Sequence, residues 1–126
     1  MKAYLRNIDQ VSDLVRQRIE DVGERSKRPK LYEDIRKACL DERAFLFMDG
    51  ESFFVLRPMP KKVVQVWVAY CREGKAIERY QEFLKQLCKN IGANQMELET
   101  ALGDPFERHI SRFGWSKAYT VWRQEL

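Results

Sequence analysis

The sequence predicts a mixed α/β (α+β) fold in which helices cover both faces of a central sheet. Apolar residues recur at helical spacing in some segments, and in others they alternate or run continuously as in strands. Short turns connect these segments, which is typical of one packed unit. The predicted order of elements is β-α-α-β-β-β-α-β-α-β, and we expect a single domain over residues 1–126.

The first third of the chain is predicted to hold one short strand and two helices. Residues 3–6 have the pattern of a strand, and a helix follows over about 9–22. Asp9 is the expected cap of that helix and Gly23 its expected stop. A second helix is expected over about 30–41. Both helices are amphipathic, so one face of each should cover the sheet.

The middle of the chain changes to strand patterning. Two aromatic-rich runs, 43–48 and 52–57, flank an Asp-Gly pair at 49–50, which is a strong signal for a β-hairpin. The run 63–71 is almost continuously apolar and β-branched, as in a strand that is covered on both faces. We therefore expect it at the centre of the sheet.

A long helix and a parallel strand should follow the central strand. The apolar stripe over about 75–91 predicts the helix, and Gly92 closes it. Residues 95–100 alternate like a strand with one wet face. A strand-helix-strand unit of this length predicts that 63–71 and 95–100 lie parallel, joined by a right-handed crossover.

The last predicted elements are a short helix and a final strand. Asp104 is the expected helix cap, with a proline after it, and Gly114 is the expected stop. The strand is expected over about 117–122. The three tryptophans, which are most simply core or half-buried sheet aromatics, are Trp67, Trp115 and Trp122.

Composition excludes several classes of protein. Hydrophobic residues make up 44% and charged residues 33% of the chain, and no apolar run is long enough for a membrane helix. The first residues lack the apolar core of a secretion signal, so we expect a cytoplasmic protein. Three cysteines without paired spacing favour a reducing compartment, and a single histidine argues against a protein-built metal site.

The net charge of +4 is mild, and the densest basic run lies at residues 25–30. A solvated loop between helices explains this run best. A nucleic-acid contact is the alternative, although no aromatic residue is interleaved for base stacking, so nucleic acid is an unlikely partner.

The order of elements, the Gly-Lys-Ala-Ile sequence at 74–77 and the Phe-Gly-Trp sequence at 113–115 together resemble the GNAT superfamily of N-acetyltransferases. The resemblance implies a GNAT-like mixed sheet whose central strand ends in an acetyl-CoA loop. In such a loop, backbone N–H groups and a helix N-terminus hold the pyrophosphate. The cofactor-binding residues that the resemblance implies are Val66, Val68, Tyr70, Arg72, Glu73, Gly74, Lys75, Ala76 and Ile77.

The loop departs from the GNAT pattern at chemically important positions. Ala76 stands in place of the first motif glycine and Glu78 in place of the second, so a carboxylate would face the diphosphate. Ile110 replaces the tyrosine that frequently acts as general acid in this superfamily. Glu99 and His109 are the candidate catalytic bases, and a solvated strand face and a surface histidine are their simpler interpretations.

Three functions remain open from the sequence. The first is an acyl-CoA-dependent N-acyltransferase, with acetyl-CoA and an amine acceptor as substrates and with activity that is weak or lost. The second is a non-catalytic GNAT-fold accessory protein that acts through protein contacts. A weaker resemblance to small phage-encoded GNAT-like proteins supports this second reading and would place the chain in a virion or in host cytoplasm. The third is a nucleic-acid-binding module that uses the basic run.

Overall fold

The computed structural model describes residues 3–72, 74–100 and 102–126, and a five-stranded sheet lies at its centre. The strands are β1 (Tyr4–Leu5), β2 (Phe45–Asp49), β3 (Ser52–Met59), β4 (Val63–Tyr70) and β5 (Gln95–Leu98). The helices are α1 (Ser12–Arg25), α2 (Leu31–Leu40), α3 (Ala76–Asn90) and α4 (Asp104–Ser111), and a short 3-10 helix over Ile8–Gln10 precedes α1. The predicted mixed fold is confirmed.

The sheet order is β1-β2-β3-β4-β5, with antiparallel pairing from β1 to β4 and parallel pairing of β4 with β5. The predicted hairpin is present, because Asp49 pairs with Ser52 across a turn. Gly50 has φ +60° there, a conformation that costs glycine little. The helix α3 joins the two parallel strands, as the sequence predicts.

Helices cover the two faces of the sheet unequally. The α1 face carries α1, α2 and the 3-10 helix over a core that includes Val15, Ile19, Ile35 and Val55. The α3 face carries α3, which buries Tyr80, Leu84 and Cys88 against β3 and β4. Each fully buried aliphatic side chain contributes about 1.5–3 kcal/mol, so both layers are needed.

The three cysteines lie within or beside these cores, and no disulfide joins them. Cys71 and Cys88 are buried, while Cys39 is half-buried. Burial raises the pKa of the Cys39 thiol to about 11 and also raises that of Cys88.

The expected stop of α1 at Gly23 is wrong. The helix continues to Arg25 and ends where Lys27 adopts a left-handed φ of 57°. The N–H of Arg28 then donates to the carbonyl of Gly23 at 2.7 Å, which is the bonding of a Schellman motif. Gly23 is needed for space instead, since a Cβ at this position would lie 2.6 Å from the Arg28 carbonyl oxygen. Gly92 does close α3 as predicted, with φ +88°.

Two expected helix caps are also wrong. Asn7, rather than Asp9, caps the first turn, because its side chain accepts a hydrogen bond from the Asp9 N–H at 2.9 Å. The Asp9 carboxylate binds Arg36 of α2 at 2.7 Å, and this contact lowers the Asp9 pKa. At α4 the cap position is Gly103, and Asp104 is the first helical residue. In both places the carboxylate lies one or two residues inside the turn.

Strand ends differ from the sequence pattern at several positions. β4 stops at Tyr70 and β5 at Leu98, so the parallel pair is shorter than predicted. β3 continues through Pro58, which pairs with Val64 of β4. The last partner of β3 in β2 is Phe45, opposite Leu56, so Pro58 lies beyond the end of β2, and the missing proline N–H interrupts no bond on that side.

The strand expected at 117–122 is not formed, and residues 115–126 follow α4 without a helix or strand. Tyr119 is 59% exposed, Val121 70% and Trp122 91%, so the expectation that Trp122 is a core or sheet aromatic is wrong. A strand needs a neighbour to hydrogen-bond with, and none lies beside this segment in the described chain. Among residues 3–72, 74–100 and 102–126, no helix combines the length and apolar character needed to cross a membrane.

We predict that Gly23→Ala lowers the free energy of unfolding by about 1–3 kcal/mol, because the new Cβ displaces the loop carbonyl of Arg28. At an ordinary helix position the same change stabilises by about 1 kcal/mol. The matched control is Glu24→Ala, at an exposed position in the same turn, which should change the free energy by less than about 0.5 kcal/mol. Chemical denaturation measures both, and a stabilised Gly23→Ala variant would contradict the close approach.

Candidate functional site

The parallel strands β4 and β5 separate after four residue pairs. Val63 to Val66 pair with Gln95 to Leu98, and no strand of the described chain follows β4 beyond Val66 on that side. The register between β3 and β4 shifts at this point, since Val55 pairs with Val68 but Leu56 pairs with Val66. Trp67 is therefore the extra residue of a β-bulge, which bends a strand locally. The backbone edge of residues 67–70 is therefore left without a strand partner on the β5 side, and we call the space along this edge the groove.

A tight loop and a helix start lie at the end of this open edge. Gly74 has φ +71°, and its N–H donates to the Cys71 carbonyl at 2.9 Å. The helix α3 begins at Ala76, and the side chain of its N-cap residue, Lys75, makes no capping bond. Because the first N–H groups of a helix have no partner within the helix, they attract an anion, and the helix dipole adds to that attraction.

Carboxylates of the β2–β3 turn lie beside the cations of this loop. Glu51 binds Arg72 at 3.2 Å, and Asp49 lies 3.9 Å from Arg79. The Tyr80 hydroxyl donates to Asp49 at 2.9 Å, which ties the turn to α3. Burial raises the pKa of Tyr80, and the bond to Asp49 raises it further. The loop cations are therefore partly neutralised by the chain itself.

The helix α4 docks on the first turns of α3 through polar contacts. His109 Nε2 lies 3.0 Å from Glu78 Oε1, and the His109 ring meets the Phe113 ring edge-on at 5.3 Å. Gln81 donates to the Phe113 carbonyl at 2.7 Å and accepts from the Trp115 indole at 2.8 Å. The Gly-aromatic sequence at 114–115 thus anchors the chain after α4. His109 serves here as a contact between helices, and the Glu78 carboxylate is engaged by it.

A buried polar network closes the other end of the groove, where the two strands separate. Gln65 of β4 is 2% exposed and donates to Glu99 Oε1 at 3.2 Å. Its carbonyl oxygen accepts two bonds from Arg57, one of them from Nε at 3.1 Å. Arg28, in the loop between α1 and α2, donates to Glu99 Oε2 at 2.7 Å. Glu99 therefore links the helical layer to the sheet.

Arg57 completes this network by stacking on Trp67, with its guanidinium carbon 3.8 Å from the ring centroid. Burial lowers the pKa of Arg57, and the Glu99 charge opposes that effect. The Arg28–Glu99 pair is about 40% exposed on both sides, so it is worth less than about 1 kcal/mol by itself. The buried amide of Gln65 is the costly member to remove, because each of its partners would lose a hydrogen bond.

The structure places the sequence-predicted cofactor residues along one continuous path. Because of the bulge, Val66 is buried on the α3 face of the sheet and Val68 on the α1 face. The open edge is formed by the backbone of residues 67–70. Tyr70 is half-buried, and the guanidinium carbon of Arg18 lies 4.7 Å from the centroid of its ring. The loop residues Arg72, Gly74 and Lys75 are exposed, Ala76 and Ile77 are half-buried in the first turn of α3, and Glu73 lies outside the described residues.

Of the two candidate bases, Glu99 lies at the groove and His109 lies on α4 against α3. The hydrogen-bond partners of Glu99, which are Arg28 and Gln65, were not predicted from the sequence, and Arg57 is connected to Glu99 only through Gln65. Arg57 lies on β3, with β4 between it and Glu99, and Arg28 reaches Glu99 across 71 residues of sequence, so neither relation has a local signal. The basic run that contains Arg28 is mostly exposed, but the Arg28 guanidinium forms an ion pair with Glu99.

No group of three or more His, Cys, Asp or Glu residues in the described chain is placed to hold a metal ion.

Neither a protein-family model nor a curated protein matches the sequence. Solved structures share its architecture. One, described as a "probable acetyltransferase", superposes with a TM-score of 0.69 at 14% identity, covering 100% of both chains. The chain has a GNAT-like fold.

Two other solved structures, whose descriptions give a provisional acetyltransferase assignment, match as well. The one from Bacillus subtilis has a TM-score of 0.62 at 12% identity, covering 99% of both chains. The one from Pyrococcus furiosus has a TM-score of 0.55 at 8% identity, covering 99% of this chain and 100% of that chain. At these identities the likeness concerns the fold.

We predict that Gln65→Leu lowers the free energy of unfolding by about 2–4 kcal/mol, because it removes the buried amide and leaves the half-buried Arg57 without its acceptor. Gln86→Leu is the matched control. Gln86 is exposed on α3 and also donates a side-chain hydrogen bond, to Asn90 at 2.9 Å. We expect that variant to change stability by less than about 0.5 kcal/mol in the same denaturation experiment. Equal effects of the two changes would show that the network contributes no more than a surface contact.

Proposed function

We propose that this chain binds acyl-CoA in the groove between β4 and β5 and transfers the acyl group to an amine. The observation that carries this proposal is the open backbone edge of residues 67–70, which lies a few residues before the start of α3, where the Lys75 side chain makes no capping bond. An edge of unpaired N–H and C=O groups suits the amides of a pantetheine arm, and a helix N-terminus suits a pyrophosphate. The open strand edge and the helix N-terminus lie one after the other within residues 67–77.

The residues that would hold the cofactor are the backbone of 66–70 and the loop from Arg72 to Ile77. Arg72 and Lys75 are exposed and free to turn toward phosphates, although Arg72 must leave Glu51 to do so. A bound thioester supplies the activated acyl group. The protein contributes position, since holding an amine beside a thioester accounts for much of the rate of such a transfer.

Glu99 is the group best placed to hold the acceptor amine and to accept its proton, because it lies where the strands separate. Its present partners are Arg28 and Gln65, so an amine must displace the exposed Arg28. Ile110 stands where the superfamily frequently has a tyrosine, so we propose that water gives a proton to the departing thiolate. We therefore propose a low turnover.

A non-catalytic GNAT-fold protein that acts through protein contacts is the second candidate. Glu78 favours it, because this carboxylate occupies the second glycine position of the loop and is held there by His109 at 3.0 Å. A fixed negative charge near the helix start opposes the binding of a diphosphate. A derived chain that has lost its cofactor would tolerate such a residue.

We expect acetyl-CoA to raise the melting temperature and Lys75→Glu to weaken its binding at least several-fold. A ligand at 100 times its dissociation constant stabilises by about 2.7 kcal/mol. Lys89→Glu is the matched control, since it makes the same charge change near the far end of α3, about 20 Å away. Calorimetry measures both affinities. The proposal fails if the unmodified chain binds neither acetyl-CoA nor longer acyl-CoAs at millimolar concentration.

We also expect Glu78→Gln to raise the affinity for acetyl-CoA, because it removes a negative charge from the helix start. Glu82→Gln, one turn later on an exposed side chain, makes the same change away from the loop and should leave affinity unaltered. The lost contact with His109 should cost at most about 1 kcal/mol of stability. Affinity that appears only in Glu78→Gln would favour the derived, non-catalytic protein, whereas equal affinities would remove the electrostatic argument for it.

A further inference from the structure

Arg57 of β3 is a half-buried guanidinium group that lacks a carboxylate partner. Its Nε and Nη2 atoms both donate to the side-chain oxygen of Gln65, and no Asp or Glu of residues 3–72, 74–100 and 102–126 forms an ion pair with it. An arginine side chain has five N–H donors, so three donors remain after these two bonds. A charge that is removed from water is ordinarily paired, so this group is open to an anion from outside the chain.

The sheet fixes the position of this guanidinium group. Arg57 pairs with Gln65 of β4, and Gln65 pairs with Glu97 of β5, so the three side chains share one face. This is the α1 face, because Val64 and Val66 on either side of Gln65 pack in the α3 core. The two hydrogen bonds and the stacking on Trp67 hold the planar group still. It therefore loses little side-chain freedom when it binds a carboxylate.

The charges around Arg57 are balanced. The charged side chains that act on it are two carboxylates and two guanidinium groups, namely Glu97, Glu99, Arg28 and Arg43. Arg43 is exposed and already binds Asp41 at 3.2 Å. The charges that remain, with Arg57 included, are two of each sign. A simple amine or a simple anion would unbalance this set, whereas a ligand with one amine and one carboxylate adds no net charge.

The ion pair of Arg28 with Glu99 is the contact that such a ligand replaces. Both side chains are about 40% exposed, so separating them costs little. Arg57 and Glu99 both bind the Gln65 amide, so their charged atoms lie within roughly 8 Å of each other. A short amino acid can span that distance. It exchanges one exposed ion pair for two charge-assisted contacts, one of them with the half-buried Arg57.

We propose that the acceptor is a short amino acid whose amine binds Glu99 and whose carboxylate binds Arg57. This inference rests on the proposed function, which places the acceptor amine at Glu99. In the transfer, the amine nitrogen forms a bond to the acyl carbon and the carbon–sulfur bond breaks. The ammonium group loses one proton to solvent through Glu99, and its second proton balances the one that water gives to the thiolate. Arg57 thus determines specificity and takes no part in the proton transfers.

An NMR titration of the full chain tests this assignment with ligands that differ in the carboxylate alone. The probes are the unbranched amino acids from glycine to aminohexanoate, each compared with its own primary amide, without CoA and with millimolar CoA. We expect at least one acid to shift the side-chain amide signals of Gln65 and to bind at least about fivefold more tightly than its amide. Equal affinities, or no binding of any acid in either condition, overturn the proposal.

Three substitutions separate the roles of the arginines. Arg57→Gln removes the charge but keeps a donor for Gln65, and it should abolish the preference for acid over amide. Arg28→Gln should raise the affinity for both, because nothing then competes for Glu99, and should leave the preference unchanged. Arg43→Gln is the matched control and should alter neither. A preference that survives in folded Arg57→Gln, or that is lost in Arg28→Gln, overturns the assignment to Arg57. The comparison of acids with amides on the unmodified chain decides the proposal even where a variant does not fold.

Calorimetry with acetyl-CoA on the same protein separates this inference from the proposed function. If acetyl-CoA binds while acids and amides bind equally, the acceptor class is wrong and the acyl-CoA site stands. If acids bind in preference to amides while acetyl-CoA does not bind, the amino-acid site stands and the acyl transfer is wrong.

Discussion

The hydrogen bonding of β4 is the constraint on which the rest of this structure depends. On one side β4 pairs with β3 over most of its length, and on the other it pairs with β5 only from Val63 to Val66. Both of its faces must be covered, so α1 and α2 occupy one layer and α3 the other. The bulge at Trp67 then frees a stretch of backbone between two covered faces. The open edge of residues 67–70 follows from this one interrupted pairing.

Charge around the groove is balanced by the chain itself. Glu51 and Asp49 face the cations of the loop, and Arg28 faces Glu99 at the opposite end. These contacts are exposed or half-exposed and individually weak, so a charged ligand can replace them at small cost. The buried amide of Gln65 is different, because it holds Arg57 and Glu99 in place whether or not a ligand is bound. The buried hydrogen bonds of Gln65 are therefore permanent, whereas the exposed ion pairs around the groove can be exchanged for other charges.

Local pattern in the sequence predicted the elements well and their long-range partners poorly. The spacing of apolar residues located four helices and five strands, because burial on one face imposes that spacing. Gly23 was misread as a stop because the turn after Arg25 folds the Arg28 carbonyl back onto it, and the residue types alone do not show this close approach. The assignment of residues 66–77 to acyl-CoA rests on the resemblance and stays a proposal, whereas the Arg28 contact with Glu99 spans 71 residues and leaves no local signal. The strand predicted at 117–122 was wrong, because strand-like composition does not by itself provide a neighbouring strand to pair with.

The burial of the thiols has a practical consequence for chemical labelling. With a pKa of about 11, the Cys39 thiol exists as thiolate in only about one molecule in ten thousand at neutral pH. The thiol of Cys88 is buried and its pKa is also raised. Alkylating dyes and spin labels react with the thiolate, so these two positions should remain unmodified under mild conditions. A cysteine introduced on an exposed surface would then react ahead of them, and a spectroscopic probe can be attached without first removing either residue.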